Sequence, residues 1–409
     1  VGAAGGKGAE EALDNMQGFY DKDAGELADL LKFEAGVGFA GQGLGEFVGK
    51  AFGAVLGRKA PTETIRDAWI MANRYSLDDV LKLDASLGRT ATKADIKKAW
   101  KNKKVEKFSQ ESKDIAKSLQ VTFEKIVMQI IDRLQKKVPS NNLVMAGGCA
   151  MNGLVNGKIF KKSNFKNHFI QPASTDDGTS LGAAYYCWHN HLKKKDRFIM
   201  KHAFWGPSYN EDEILNEIKA KNLKYKKFDN INELTIHAAK VISENNVVGW
   251  YQGKSEWGSR ALGNRSILAN PAHKNMKDII NSKIKKRESF RPFAPSVLED
   301  DVTKFFECDI RSEFMNHIVK FKKEWCDVFP SVCHVDNTAR LQTVNKDNNS
   351  LFYQLISELK KITGHGIILN TSFNENEPIV DTPEQAINCF LRTDMDILFL
   401  EKFMICKDL

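Results

Sequence analysis

The chain of 409 residues is 42% hydrophobic and 27% charged, an ordinary balance for a soluble globular protein and too long for one compact domain. Its net charge of +8 and pI near 8.9 favour an anionic partner: a phosphate-bearing small molecule, nucleic acid or an acidic membrane surface. No apolar run is long enough to span a bilayer, and seven cysteines without a C-x-x-C pair argue against a disulfide framework and for free thiols in a reducing, cytoplasmic setting.

Residues 1–57 hold fourteen of the 28 glycines, while residues 1–150 contain no histidine and residues 1–148 no cysteine. Within GQGLGEFVGKAFGAVLG, glycine recurs at every fourth position from 41 to 57. That pattern suits either close helix packing or a flexible arm, and Glu46 and Lys50 oppose membrane insertion. Residues 61–95 read as helical, opening on Thr62 and Ser76 at capping positions. A lysine-rich stretch at 97–107 marks a boundary near 105–110, and the runs KNKK (101–104) and KIKKR (283–287) read as solvated faces.

From Ser112 the apolar residues Ile115, Leu119, Phe123, Ile126, Ile130 and Leu134 recur at helical spacing, which predicts an amphipathic helix of about 25 residues. Strands are expected at NLVMAGG, NHFIQPAS, VVGWYQ, RPFAPSVL and GIILNTSF, with one or two more in MDILFLEKFMICK. DDGTSLGAAYYCWHN reads as a loop feeding a small-residue helix, so the chain is of α/β class from about residue 110 onward.

Four motifs carry chemistry. In AGGCAMNGLVNG (146–157), Gly147 and Gly148 end a strand just before a helix. Free amides there suit an anion, with Asn152 and Asn156 on one helix side; a tight turn with capping asparagines is the alternative. In QPASTDDGTSLGAA (171–184), Asp176 and Asp177 suit either a hard divalent cation or a helix N-cap. In GKSEWGSRALGNRSILANP and its continuation, Arg260, Arg265, Arg287 and Arg291 lie within 32 residues, and Arg265 and Arg291 have apolar neighbours. Partly buried arginines need anionic partners, so an anion site is favoured over ion pairs to Glu256 and Glu288. HVDNTARLQTV and LNTSFNENEPIVDTP add Arg340, Gln342, Asn370, Thr371 and Ser372 near strand ends; His334 receives no catalytic role on spacing alone.

Together, and in this order, these motifs resemble the O-carbamoyltransferases that act on nodulation factors and on antibiotics such as cephamycins and aminoglycosides. The likeness covers roughly residues 110–409 and leaves residues 1–110 outside it. It implies the second half of an actin/hexokinase-like (ASKHA) lobe at 111–200, followed by a YrdC-like α/β domain at 201–409, behind a Gly/Ala-rich helical segment at 1–110. It also implies that carbamoyl phosphate and ATP form carbamoyl-adenylate in the YrdC-like part. The carbamoyl group then passes to a hydroxyl of a small-molecule or sugar acceptor, near a divalent metal (Mg2+ with the nucleotide, Fe2+ in the actin-like lobe). Carried over, Lys254, Arg260, Arg265, Ser266, Arg287, Arg291, Arg340, Asn370 and Ser372 line the carbamoyl-phosphate and nucleotide cradle. Gly147, Gly148 and Asn152 contact a second nucleotide, and Asp176 is a metal ligand.

The same likeness implies a catalytic histidine and a histidine-containing metal motif in the first half-lobe, whereas the first histidine here is His168. Residues 1–110 instead have the Gly/Ala-rich character of some phage virion proteins. The expectation is therefore an adenylate-forming enzyme whose acceptor transfer depends on a half-lobe supplied by a second chain or encoded upstream of Val1. Two readings of other classes stand beside it: a non-catalytic basic nucleic-acid-binding protein, and a phage-type structural fusion carrying an inactive carbamoyltransferase remnant.

Overall fold

The computed structural model describes residues 109–407. The glycine repeat and the helices expected at 61–95 lie outside the described residues. Contacts divide the chain into two compact units, residues 1–129 and 130–409.

In the first unit the described residues begin the helix Gln110–Lys137, whose first turn is capped by the Ser109 hydroxyl accepting the Ser112 amide at 3.2 Å. In the second unit this helix runs on to Lys137. There Ile131 is buried, while Ile130 and Leu134 of the expected apolar stripe are exposed, so the inward face is one residue out of step with the sequence pattern.

The second unit contains two sheets. The smaller pairs β1 (Asn142–Met145) and β2 (Asn167–Ile170) in parallel, linked by the helix Gly153–Lys162. The larger holds nine strands: β3 (Lys226–Lys227), β4 (Val248–Tyr251), β5 (Arg265–Ala269), β6 (Ala294–Leu298), β7 (His317–Lys320), β8 (Thr338–Val344), β9 (Ile367–Ser372), β10 (Ile397–Leu400) and β11 (Phe403–Cys406). Their order across the sheet is β3-β11-β10-β4-β5-β9-β6-β8-β7. β4 with β10 and β6 with β8 are parallel, and the other pairs are antiparallel.

The central strands are buried along their whole length because both faces are covered. On one face the helices Ile231–Ser243 and Ser350–Thr363 bring Leu234, Ala238, Leu355 and Ile356 against Trp250, Leu268 and Ile368. On the other, Ile387 and Phe390 of Pro383–Arg392, with Met276 and Ile280, meet Tyr251, Ile267, Val297, Leu341 and Leu369. Helix ends are set locally. Thr382 and Gln385 close a capping box ahead of Pro383, and Gly364 ends Ser350–Thr363 at a φ of 80°.

The expected strands at 142–145, 167–170, 248–251, 294–298 and 367–372 all form, and the closing segment is a two-stranded hairpin. β3, β5, β7 and β8 are strands that the sequence reading does not contain. The expectation of free thiols throughout is corrected at one pair, since Cys326 and Cys333 are joined in a disulfide. A turn between them brings their Cα atoms to 5.3 Å, a pairing that a search for C-x-x-C spacing does not find. Among the described residues no helix is long and apolar enough to cross a membrane.

Candidate functional site

The loop joining β4 to β5, residues 252–264, is fixed from inside. Glu256 is half-buried with its carboxylate enclosed, and one carboxylate oxygen accepts the amides of Leu262, Asn264 and Arg265 at 2.7, 2.9 and 3.2 Å. Burial pushes the pKa of this carboxyl up, against those three amides. Arg265 is fully buried and its guanidinium lies 3.6 Å over the Tyr251 ring. Its terminal nitrogens donate to the carbonyls of Gln252 (2.8 Å), Asn264 (3.1 Å), Gly253 (3.1 Å) and Pro207 (3.3 Å). The expectation that Arg265 lines an anion cradle is therefore corrected. Its terminal nitrogens serve main-chain carbonyls, its Nε is enclosed without a partner, and the carboxylate of Glu256 holds amides rather than a guanidinium.

The floor beneath this loop is polar for a reason visible in the register. Side chains alternate across strands, so Ser266, Ser372, Asn370, Ser296, Gln342 and Arg340 fall on one face of the sheet. Ser296 donates to Gln342 at 2.5 Å, and Asn370 donates to Ser296 and Gln342, both at 3.0 Å. Asn370 and Gln342 also donate to the carbonyls of Ala261 (3.3 Å) and Leu262 (2.8 Å), which pins the loop to the sheet. Ser266 accepts the Gly263 amide at 3.1 Å. Ser266, Asn370 and Gln342 thus organise the site from below.

Two arginines remain. Arg260 is half-buried, its Nε is enclosed without a partner, and no hydrogen bond or ion pair reaches its side chain among the described residues. Burial pulls its pKa down. Arg340, on β8, donates to the Met315 carbonyl at 2.9 Å. Burial, and then the Arg260 guanidinium, lower its pKa to about 10. No carboxylate pairs with either arginine among the described residues, so two like charges are held in a low-dielectric pocket with no compensating anion. Met315, whose carbonyl orients Arg340, has a φ of 56°, a left-handed conformation that side chains other than glycine adopt at a cost.

The glycine-rich turns of the small sheet come to the same place. A Cβ on Gly258 (φ +112°) would stand 2.5 Å from the Pro172 carbonyl oxygen, so the arginine loop lies directly on the 171–174 turn. A Cβ on Gly153 would meet the Arg340 guanidinium at 3.2 Å, which sets the start of the helix Gly153–Lys162 against it. The Gly147 amide donates to the Ser174 carbonyl at 2.7 Å, and the space beside Gly147 and Gly148 is open. Asn152 caps this helix by accepting the Val155 amide at 3.2 Å. Asn156 turns inward to the carbonyls of Ala150 and Asn316, both at 2.8 Å, rather than sharing an outer face with Asn152.

A second cationic cluster lies where β9 ends. Lys285 is 2% exposed, and its ammonium reaches the carbonyls of Ser372 (2.5 Å) and Asn374 (2.7 Å) and the side chains of Ser372 (3.2 Å) and Asn374 (2.6 Å). Burial, and then Arg287, pull its pKa down to about 7. Arg287 is half-buried, lies 5.0 Å from the Phe293 ring and donates to Asn281 at 2.7 Å. Between them Lys286 has a φ of 43°. The reading of KIKKR as a solvated face is corrected by Lys285. The signal for it is Ile284 beside it, also fully buried, in a run otherwise composed of cations.

The remaining expectations fall outside these clusters. Lys254 is exposed on the loop, and Arg291 is exposed and paired with Glu288 at 3.1 Å, the ion-pair alternative. Asp176 is exposed, and the neighbouring Asp177 accepts the Gly178 amide at 3.1 Å as a local cap. Among the described residues no group of three His, Cys, Asp or Glu side chains is placed to hold a metal ion. Asp176, exposed and with no second metal-ligating group beside it among the described residues, does not fit one.

Comparison with known proteins gives a consistent result. A family model described as the carbamoyltransferase N-terminus matches residues 53–185, and one described as the carbamoyltransferase C-terminus matches residues 239–407. The match thus begins at residue 53, which corrects the motif-based expectation that residues before about 110 lie outside it. Nodulation protein NolNO of Sinorhizobium fredii is 40% identical over 73% of this chain and 45% of its own length. Nodulation protein NolO of Bradyrhizobium diazoefficiens is 41% identical over 73% of this chain and 56% of its own. An uncharacterised Synechocystis protein is 38% identical over 73% of this chain and 53% of its own. The chain therefore spans about half the length of the curated relatives it matches. Among solved structures, full-length HypF in its phosphate- and nucleotide-bound form aligns with a TM-score of 0.29 at 17% identity, over 44% of this chain and 22% of that one. That likeness is too slight to carry an argument.

Proposed function

Because the chain belongs to the carbamoyltransferase family, we propose that it forms carbamoyl-adenylate from carbamoyl phosphate and ATP at the Arg260–Arg340 pocket. The observation that carries this reading is the half-buried arginine pair without a carboxylate. A fold that holds two guanidinium groups in each other's field is completed by a ligand with at least two negative charges.

Such a reaction balances only if two anions leave. Water cleaves carbamoyl phosphate to carbamate and inorganic phosphate, and a carbamate oxygen then attacks the α-phosphorus of ATP as pyrophosphate departs. Charge moves among crowded oxygens throughout, and fixed cations stabilise it without the reorganisation that water would need. In this reading Arg260 and Arg340 hold the phosphoryl oxygens. Lys285 and Arg287, beside Ser372 and Asn374 at the C-terminal end of β9, supply the second positive wall. The Gly147 amide is held by the Ser174 carbonyl, and the open space beside Gly147 and Gly148, next to the start of the helix Gly153–Lys162, lies toward the acceptor side, where a hydroxyl of a small molecule or sugar takes the carbamoyl group.

The test is pyrophosphate release by the purified chain with carbamoyl phosphate and Mg-ATP. Release should require both substrates and fall at least a hundredfold in Arg340→Ala, a loss in keeping with removal of one preorganised charge contact. Release that continues without carbamoyl phosphate, or that Arg340→Ala leaves intact, contradicts the proposal.

A further inference from the structure

His334 lies at the mouth of a tight turn that leads into β8. Its amide donates to the Thr338 carbonyl at 2.8 Å, and the Asn337 amide returns to the His334 carbonyl at 2.9 Å. Inside the turn three side chains are linked in series. The Thr338 hydroxyl lies 2.6 Å from an Asp336 carboxylate oxygen, which also accepts the Thr338 amide at 3.2 Å. His334 Nδ1 lies 3.0 Å from the same hydroxyl. Burial pushes the Asp336 carboxyl up, but the Thr338 hydroxyl and His334 outweigh it and leave that carboxyl below its ordinary value. An ionised carboxylate only accepts, so Thr338 donates to it. With its one proton spent, the hydroxyl accepts from the ring, and Nδ1 carries the imidazole proton. Nε2 is then a bare acceptor. No hydrogen bond reaches it among the described residues, and in this half-buried ring it is not enclosed.

We propose that His334 Nε2 accepts a hydrogen bond from the NH2 group of carbamoyl phosphate held by Arg260 and Arg340, and so selects a carbamoyl over an acetyl group. Position is the first support. Thr338 and Arg340 are two residues apart on β8, so their side chains leave the same face about 7 Å from each other. The link from Thr338 to Nδ1 therefore keeps the ring beside the anion site. Chemistry is the second. The phosphoryl and carbonyl oxygens of the ligand call for donors, which the arginines are; its amide nitrogen calls for an acceptor, which no guanidinium can be. The side chains of Gln342 and Asn370 nearby already serve the floor of the site and the loop above it. Neutrality is the third. The charged groups around the ring are Asp336 in the turn, Arg340 on β8 and Lys277. Burial, helped by the two cations and opposed by Asp336, lowers the ring to a pKa of about 4, so Nε2 keeps its lone pair at neutral pH.

This inference rests on carbamoyl phosphate as the ligand of the arginine pair, so its test separates the two. Binding of carbamoyl phosphate and of acetyl phosphate, which has a methyl group in place of the NH2, is measured calorimetrically on the full chain, on His334→Phe and on Thr338→Val. The wild type should bind carbamoyl phosphate about tenfold more tightly than acetyl phosphate, the range for one hydrogen bond to an otherwise unsatisfied acceptor. His334→Phe should erase that preference by weakening carbamoyl phosphate alone, and its unchanged affinity for acetyl phosphate shows that the variant is folded. Thr338→Val should lose part of the preference, because the proton is then free to sit on Nε2. Equal affinity of the wild type for the two acyl phosphates, or a preference that survives His334→Phe, overturns the role of His334 while leaving the anion site standing. Should His334→Phe bind neither ligand, a full preference in Thr338→Val overturns it instead. Failure of the wild type to bind either acyl phosphate removes the anion site and the role of His334 together.

Discussion

Arg265 donates to four main-chain carbonyls and stacks on Tyr251, so its charge is spread over fixed dipoles. Arg260, five residues earlier on the same loop, has none of these partners and faces a second arginine instead. The two follow from one rule, that a buried charge must find opposite charge or oriented dipoles. The fold meets the rule at the terminal nitrogens of Arg265, leaving only its Nε without a partner, and leaves the rule unmet for the whole Arg260 guanidinium. Histidine shows the same physics in pH. His317 and His334 are both lowered to about 4 by burial, from an unfolded value near 6.5. Between these values the unfolded chain binds protons that the folded one does not. Their contribution is intact above pH 6.5 and declines as pH falls toward 4, with a limiting slope of about 1.4 kcal/mol per pH unit for each ring. Urea midpoints measured across pH 4–7 should fall accordingly, and His317→Asn should flatten part of the slope. An unchanged slope in that variant would mean the ring titrates normally in the fold.

At the scale of elements, the site depends on the arginine loop lying on the 171–174 turn. Gly258 permits this twice over: its φ of +112° is closed to most side chains, and any Cβ would strike the Pro172 carbonyl. Gly258→Ala should therefore cost about 1–3 kcal/mol in chemical unfolding, the scale of strained backbone. It should also weaken carbamoyl phosphate binding by tenfold or more, because Arg260 is only two residues away. Loss of stability with unaltered binding would place the loop–turn contact outside the site. The same elements explain what could be read in advance. β4, β6 and β9 announce themselves as short apolar runs, because both sides of each are covered. β5 and β8 do not, since Arg265, Ser266, Arg340 and Gln342 interrupt their apolar pattern with the residues that build the floor of the site.

For the whole molecule, the motifs scattered between residues 146 and 374 reach one end of the nine-stranded sheet and the turns of the small sheet beside it. The family was legible from the motifs and their order. Their division of labour was not, because neighbouring arginines with similar flanks differ only in what the folded chain places around them. Lys285 was hidden for the same reason, as a buried cation inside a run that reads as solvent-facing. The central claim is that Arg260 is held for an anion rather than for the fold, and Arg260→Met tests it most directly. Calorimetric titration with carbamoyl phosphate, paired with an unfolding curve, should show binding weakened at least tenfold and ligand-free stability unchanged or raised, since the substitution relieves an unpaired buried charge. Reduced stability with undiminished carbamoyl phosphate binding would contradict the account.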